Sequence, residues 1–456
     1  MVFSSAIFLF AFLPIIFLGH WLLPGIRAKN ALLLPASLIF YAAGEPIYVL
    51  LLLVSVVMNW FFGRMVTGKR AKTGLVLAVI LNLAMLGVFK YTDFLLDSLN
   101  RVFSLSIPLV GIRLPIGISF FTFQALSYVV DVYRDKSLYQ KSMFRLALYI
   151  SFFPQLIAGP IVQYGDIAAE LEDRRVTVND VSDGLKRFIF GLSRKLLIAN
   201  TMGRVADAAF SVNGGSAGTA WIGLLCYCLQ IYYDFSGYSD MAIGLGRMFG
   251  FHFLENFRNP YSAATVQEFW RKWHISLSSW FKNYVYIPLG GNRKGKLRTF
   301  FNQYVVFFLT GLWHGASWNF VIWGLIHGTA MTAEKALDVK TKVPRPISRV
   351  ITLLVVALAF VFFRAETFPG AMAYFAALFG AGNAAPGDLQ SVFSLLTPFA
   401  FAAAAAGILL CIPAPKRLTE GRLAEPLSYA AAFILFFLCV GNLAASTFNP
   451  FIYFRF

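Results

Sequence analysis

The sequence predicts an all-α polytopic membrane protein, on three observations. Of its 456 residues 58% are apolar, 17% aromatic and only 13% charged, where soluble domains carry roughly a quarter charged residues. Apolar runs long enough to cross a ~30 Å hydrocarbon core at about 1.5 Å per residue recur along the chain. The runs are continuous and do not alternate as barrel strands do, so their backbone groups must be satisfied inside helices. The net charge of +17 sits in short basic clusters between those runs. The positive-inside rule produces that distribution, whereas a nucleic-acid groove needs a soluble surface that is lacking here.

Taken in order, Phe3 to Leu23 has no basic residue before it and no small-residue cleavage site after it, and is expected as a retained span. Arg27 and Lys29 follow it, which puts the N-terminus outside. Ala31 to Ala43 is short for a span, and Gly44, Glu45 and Pro46 separate it from Ile47 to Met65. Lys69, Arg70 and Lys72 then mark the inside, Thr73 to Tyr91 crosses outward, and Pro115 to Val132 returns toward Arg134 and Lys136. Met143 to Gln163 is flanked by charge on both sides and is expected to dip in and return as a re-entrant hairpin shielded by protein. Leu185, Phe188, Ile189, Leu192 and Leu196 form a stripe opposite Lys186, Arg187, Arg194 and Lys195, the signature of an in-plane helix at the cytoplasmic leaflet. Trp221 to Gly250 is apolar except for YYDFSGYSD, which puts Asp234, Ser236 and Asp240 at membrane depth, a costly position unless they are paired or wet. Phe300 to Trp323, Val350 to Phe363, Ala371 to Phe379, Phe393 to Ile412 and Leu427 to Leu443 complete the spans.

The expected organisation is one integral domain over 1–456: N-terminal helices over 1–140, re-entrant, cytoplasmic-face and catalytic segments over 141–335, C-terminal helices over 336–447 and an aromatic tail over 448–456. No connection is long enough for an autonomous domain, so the chemistry belongs to the membrane body. No internal repeat is evident, which weakens a transporter reading.

Val266 to Gly291 reads as the central helix. Val266, Phe269, Trp270, Trp273, Leu277, Trp280, Phe281 and Tyr284 fall on one face over five unbroken turns, with Arg271, Lys272, Ser278, Ser279 and Lys282 opposite and His274 at the seam. His314 lies in a run, Tyr304 to Trp323, that has no Asp, Glu, Lys or Arg. An ionisable ring at that depth must be paired or line a cavity, and as a neutral imidazole it is a candidate general base. The bland alternatives are a packing histidine at 314 and a polar boundary residue at 274. His20, His252 and His327 are expected to be structural. Cys226 and Cys228 point about 200° apart on a helix and, with Cys411 and Cys439, read as core fillers. No metal-ligand spacing occurs, so no metal is expected. FIYFRF at the end carries Tyr453, either an interfacial anchor or a phenol able to accept an acyl group.

ENFRNPYSAATVQEFWRKWHISLSSWFKNYVYIPLGGNR followed by LTGLWHGASWNFVIWGLIHG closely resembles the membrane-bound O-acyltransferase family, in the branch of bacterial polysaccharide O-acetyltransferases for alginate and peptidoglycan. FYAAGEP, PIGISFFTFQALSYVVDVYR, FFPQLIAGPIVQY and YYDFSGYSDMAIGLG extend the resemblance over nearly the whole chain. It implies a ring of tilted helices around a tunnel, with His314 catalytic, His274 the second functional position, and Tyr453 an acyl carrier to an extracytoplasmic SGNH-type O-acetyltransferase partner. Asp234, Ser236, Trp273, Ser276, Ser278, Trp313 and Asn319 are expected to line the tunnel, and His274 to line it or polarise the thioester carbonyl. Lys186, Arg187, Arg194 and Lys195 are expected to meet the phosphates of acetyl-CoA, a substrate and not a resident cofactor. The implied acceptor is a polysaccharide and the implied setting a bacterial inner membrane. Transfer of D-alanine to teichoic acid from a carrier protein, and a proton-coupled transporter or flippase, stand as alternatives.

Overall fold

Pro24 and Gly25, the latter at φ +71°, turn the chain between α1 (Leu13–Leu22) and α2 (Gly25–Ala42), and helix follows helix through the described residues. In the computed structural model, residues 1–382, 386–415, 421 and 423–445 are described, and among them there is no strand. The chain divides into two compact units, 1–188 with 241–254, and 189–240 with 255–456.

The first unit contains α1 (Leu13–Leu22), α2 (Gly25–Ala42), α3 (Val49–Thr67), α4 (Ala71–Leu86), α5 (Thr92–Phe103), α6 (Ile118–Arg134), α7 (Met143–Ser151), α8 (Phe153–Leu156), α9 (Tyr164–Glu172) and most of α10 (Val178–Ser193). Helices α3, α4 and α6 pack together. Gly63 makes room for the Tyr128 ring, which a Cβ there would overlap, and the Asn59 and Asn82 amides bond each other at 2.8 and 3.1 Å, so neither polar side chain is buried unsatisfied. Arg27 and Lys29 lie inside α2, not in a loop before it. Met143 to Gln163 folds back on itself: residues 146–162 are buried, and the Tyr149 hydroxyl donates to the Val162 carbonyl at 2.8 Å across the two arms. Thr177 and Asp180 cap α10 reciprocally, and the Thr177 hydroxyl and N–H hold the Asp180 carboxyl below the usual carboxylate range.

The second unit contains α11 (Asn200–Ser211), most of α12 (Ala217–Met248), α13 (Val266–Lys272), α14 (Ile275–Phe281), α15 (Gly295–His314), α16 (Trp318–Ala336), α17 (Val339–Lys342), α18 (Arg345–Arg364), α19 (Phe368–Leu378), α20 (Pro386–Ser394), α21 (Pro398–Leu410) and α22 (Ala424–Ala445). Two expected spans are each a pair of helices. Phe300 to Trp323 breaks after His314, because Gly315 is extended and Ser317 caps α16 by accepting from the Asn319 N–H. Phe393 to Ile412 breaks before Thr397, which caps α21 in the same way. Among the described residues four helical stretches are long and apolar enough to cross a membrane: Val49–Thr67, Ala71–Phe103, Arg345–Arg364 and Ala424–Ala445.

Helices α15 and α16 meet backbone to backbone. A Cβ on Gly311 would run into the Phe320 carbonyl, and one on Gly324 into that of Phe307. Gly311→Ala is therefore expected to cost about 1–3 kcal/mol, as overpacking at a rigid contact does. Thermal unfolding in detergent reads this, and an unchanged midpoint contradicts it.

Candidate active site

The site is built at a break that periodicity did not predict. The expected five-turn helix over Val266 to Tyr284 stops at Lys272 and restarts at Ile275, with His274 between them in the left-handed region at φ 45°, ψ 54°. That backbone costs a non-glycine residue about 1–2 kcal/mol and persists only where its surroundings impose it. Here the chain at 256–258 does so. The Arg258 N–H donates to the Lys272 carbonyl at 3.0 Å, and the Ile275 N–H donates to the Asn256 carbonyl at 2.9 Å. The Asn256 side-chain oxygen then accepts from the Ser276 N–H at 3.2 Å and the Ser276 hydroxyl at 2.9 Å, with His274 Nδ1 at 3.2 Å. Its amide nitrogen donates to Ser239 Oγ on α12 at 2.9 Å.

His274 is fully buried and His314, the last residue of α15, is 4% exposed. Their ring centroids lie 6.3 Å apart. Phe235 packs edge-on to His274 at 4.5 Å and Trp313 at 5.9 Å; Trp323 and Phe363 pack edge-on to His314 at 5.0 and 5.1 Å. Two imidazoles thus share one aromatic enclosure.

A cavity of about 900 Å³ runs along the same helices, lined by Ser278 one turn after His274 and by Thr310 one turn before His314. Trp270, Phe281 and Phe307 form its apolar wall. Among the described residues that line it five are cationic, Arg271, Lys282, Arg293, Lys294 and Lys335, and none is acidic.

The other expected residues divide. Trp313 and Ser276 adjoin the histidine pair, and Ser278 lines the cavity. Trp273 turns into the aromatic core against Phe269, Phe257 and Phe360. Asn319 anchors the start of α16 through the Ala365 carbonyl at 2.9 Å. Ser236 is buried on α12. Lys195 and Asp234, each 2% exposed, form an ion pair at 2.5 Å, with Asn200 also accepting from Lys195; Arg194 pairs with Asp240. These two cations are held by internal carboxylates. Lys186 pairs with Asp183 at 3.2 Å, and Arg187 lies beside it in the first unit. Tyr453 lies outside the described residues. Of the remaining histidines, His20 packs on Phe249 and His327 among Trp270, Trp323 and Phe269, while His252 bonds Glu170 on the surface. Asn256 was the residue that sequence reasoning passed over; the only signal was its place in ENFRNP.

Comparison with known proteins shows what the chain is similar to. The model of the membrane-bound O-acyltransferase family matches residues 117–367. The chain is 40% identical to a probable alginate O-acetylase of Pseudomonas putida over the whole of both chains. It is 39% identical to a peptidoglycan O-acetyltransferase of Helicobacter pylori, covering 82% of this chain and 78% of that one. At 27% identity, 54% of the chain matches 66% of a teichoic acid D-alanyltransferase of Bacillus subtilis.

Proposed function

The chain belongs to the membrane-bound O-acyltransferase family, a multi-pass membrane enzyme that transfers an acyl group to a hydroxyl, and from that premise we propose that it moves acetyl from cytoplasmic acetyl-CoA toward an extracytoplasmic polysaccharide across a bacterial inner membrane. The observation that carries this reading is the buried His274 and His314 pair beside a cation-lined cavity. The hydroxyl oxygen attacks the thioester carbonyl carbon, the new C–O bond forms and the C–S bond breaks. His314 takes the hydroxyl proton and passes it to the departing sulfur, so that an ester and coenzyme A thiol result. Tyr453 is the proposed first acceptor and an SGNH-type partner the proposed transferase on to the sugar; the acceptors named for the relatives, alginate and peptidoglycan, support a polysaccharide as the destination.

The donor's phosphates are assigned to the cavity's cationic side chains, since Arg194 and Lys195 are already engaged by Asp240 and Asp234. Charge reversal at Lys294 and Lys335 together is expected to raise KM for acetyl-CoA about tenfold with kcat unchanged, and to do so less at high salt. S-acetylpantetheine, which lacks those phosphates, is the control. Equal losses with both donors contradict a phosphate role. Label taken from D-alanyl carrier protein and not from acetyl-CoA contradicts the choice of donor.

A further inference from the structure

Helix α13 has only seven residues, too few for a helix to be stable on its own, yet the three N–H groups of its first turn that no helical carbonyl reaches are all paired. The Glu268 N–H donates to the Thr265 hydroxyl at 3.0 Å. The Val266 and Gln267 N–H groups donate to the two carboxylate oxygens of Glu334, at 2.6 and 3.1 Å. Glu334 stands on α16, 68 residues after Val266, so the start of α13 is tied to a distant helix. Its far end is tied elsewhere, since the Lys272 carbonyl accepts from the Arg258 N–H at 3.0 Å.

The tie to α16 bears on the cavity. Gln267, Trp270 and Arg271 of α13 line it, as do Met331 and Lys335 of α16, and Glu334, next to Lys335, is the strut that joins these two walls. It also keeps a negative charge away from the cations. From Val266 to Ala336 only Glu268 and Glu334 are acidic. Glu268 pairs with Lys272 at 2.8 Å and accepts from the Ala264 N–H at 2.9 Å. Glu334 is taken up by a helix N-terminus, whose partial positive charge favours a carboxylate. Among the described residues none of the cavity's five cations has an ion pair. We infer that Glu334 is a positioning residue that holds α13 against α16, and so sets the spacing of Arg271 and Lys335 for the donor's phosphates. Its effect on binding rests on the donor assignment above, while the strut stands on the hydrogen bonds alone. Because the His274 turn is held separately, from residues 256–258, loss of the strut displaces a cavity wall and leaves the turn in place.

Two experiments on the full-length protein in lipid vesicles test it. The first needs no substrate: hydrogen exchange, read by mass spectrometry, of the peptide that covers α13. Slow exchange is expected in wild type and exchange about tenfold faster in Glu334→Ala, since the Val266 and Gln267 amides lose their acceptors. Unchanged exchange overturns the inference. The second compares KM and kcat for acetyl-CoA with those for S-acetylpantetheine, which lacks the nucleotide phosphates. Wild type is expected to have the lower KM for acetyl-CoA. Glu334→Ala should raise that KM about tenfold, the scale of one charge-assisted hydrogen bond, with kcat and the KM for S-acetylpantetheine unchanged. Glu334→Gln keeps one acceptor oxygen and most of the packing, should show the same pattern at smaller size, and carries the test if alanine unfolds the protein. Adding Thr265→Asp to Glu334→Ala gives α13 a carboxylate cap of its own without the tie to α16. This double variant should recover slow exchange but not the KM. A KM that rises equally for both donors, or one that the added cap restores, overturns the positioning role. A wild type that does not distinguish the two donors refutes the phosphate assignment itself, while exchange still decides the strut.

Discussion

Replacing His314 by phenylalanine is expected to lower kcat by about 10²–10⁴-fold, the range that a positioned general base contributes, while leaving the protein folded. Phenylalanine is the informative choice because the His314 ring is held by its faces and edges. Trp323 at 5.0 Å and Phe363 at 5.1 Å pack against it edge-on, and a phenyl ring keeps those contacts while removing both nitrogens. Alanine would instead open a void among these rings and mix a packing cost with the chemical one. The measurement is steady-state release of coenzyme A thiol in proteoliposomes, together with the unfolding midpoint. A loss of rate at constant midpoint supports the base. Undiminished turnover contradicts it and leaves His314 as a packing residue.

Breaking the Lys195–Asp234 pair is expected to have the largest effect on stability. Both groups are 2% exposed and meet at 2.5 Å, and removing one partner leaves a charge buried without its counter-ion, at a cost of about 3–5 kcal/mol. Lys195→Met and Asp234→Leu should each lower the unfolding midpoint sharply. The double variant should recover most of the loss, because two apolar side chains of similar volume need no counter-charge. The pair also bears on the site. Asp234 precedes Phe235, whose ring packs on His274 at 4.5 Å, and Ser239 on the same helix accepts from Asn256. A change in the register of α12 therefore reaches the His274 turn, and the single variants should lose activity along with stability. Three variants with equal midpoints contradict this account.

These cases show where the sequence was legible. The helical membrane class followed from composition and from the length of the apolar runs, both properties of local sequence. His314 could be singled out because an ionisable group inside an apolar run is anomalous on its own terms, and His274 because it stands at the seam between the aromatic and basic faces of an amphipathic pattern. The break at His274 was not legible. The 3.6-residue pattern continues through it, and the turn is imposed by hydrogen bonds from Asn256, which lies 18 residues earlier in the chain. The fate of the cations was hidden for the same reason. Lys195 looks like any basic residue opposite an apolar stripe until Asp234, a distant partner in sequence, is folded against it. The cavity's cations, by contrast, are scattered from Arg271 to Lys335 and come together only through the turn after α14 and the pairing of α15 with α16.

The most direct test of the central claim follows the acetyl group itself. The full-length protein, reconstituted in vesicles and supplied with acetyl-CoA carrying a labelled acetyl group, is digested and its C-terminal peptide analysed by mass spectrometry, for wild type and for His314→Phe. Acetyl on Tyr453 in wild type and none in the variant is the predicted result. Acetyl on Tyr453 in both proteins, or acetyl-CoA consumed by wild type with no label bound to protein or glycan, would contradict it.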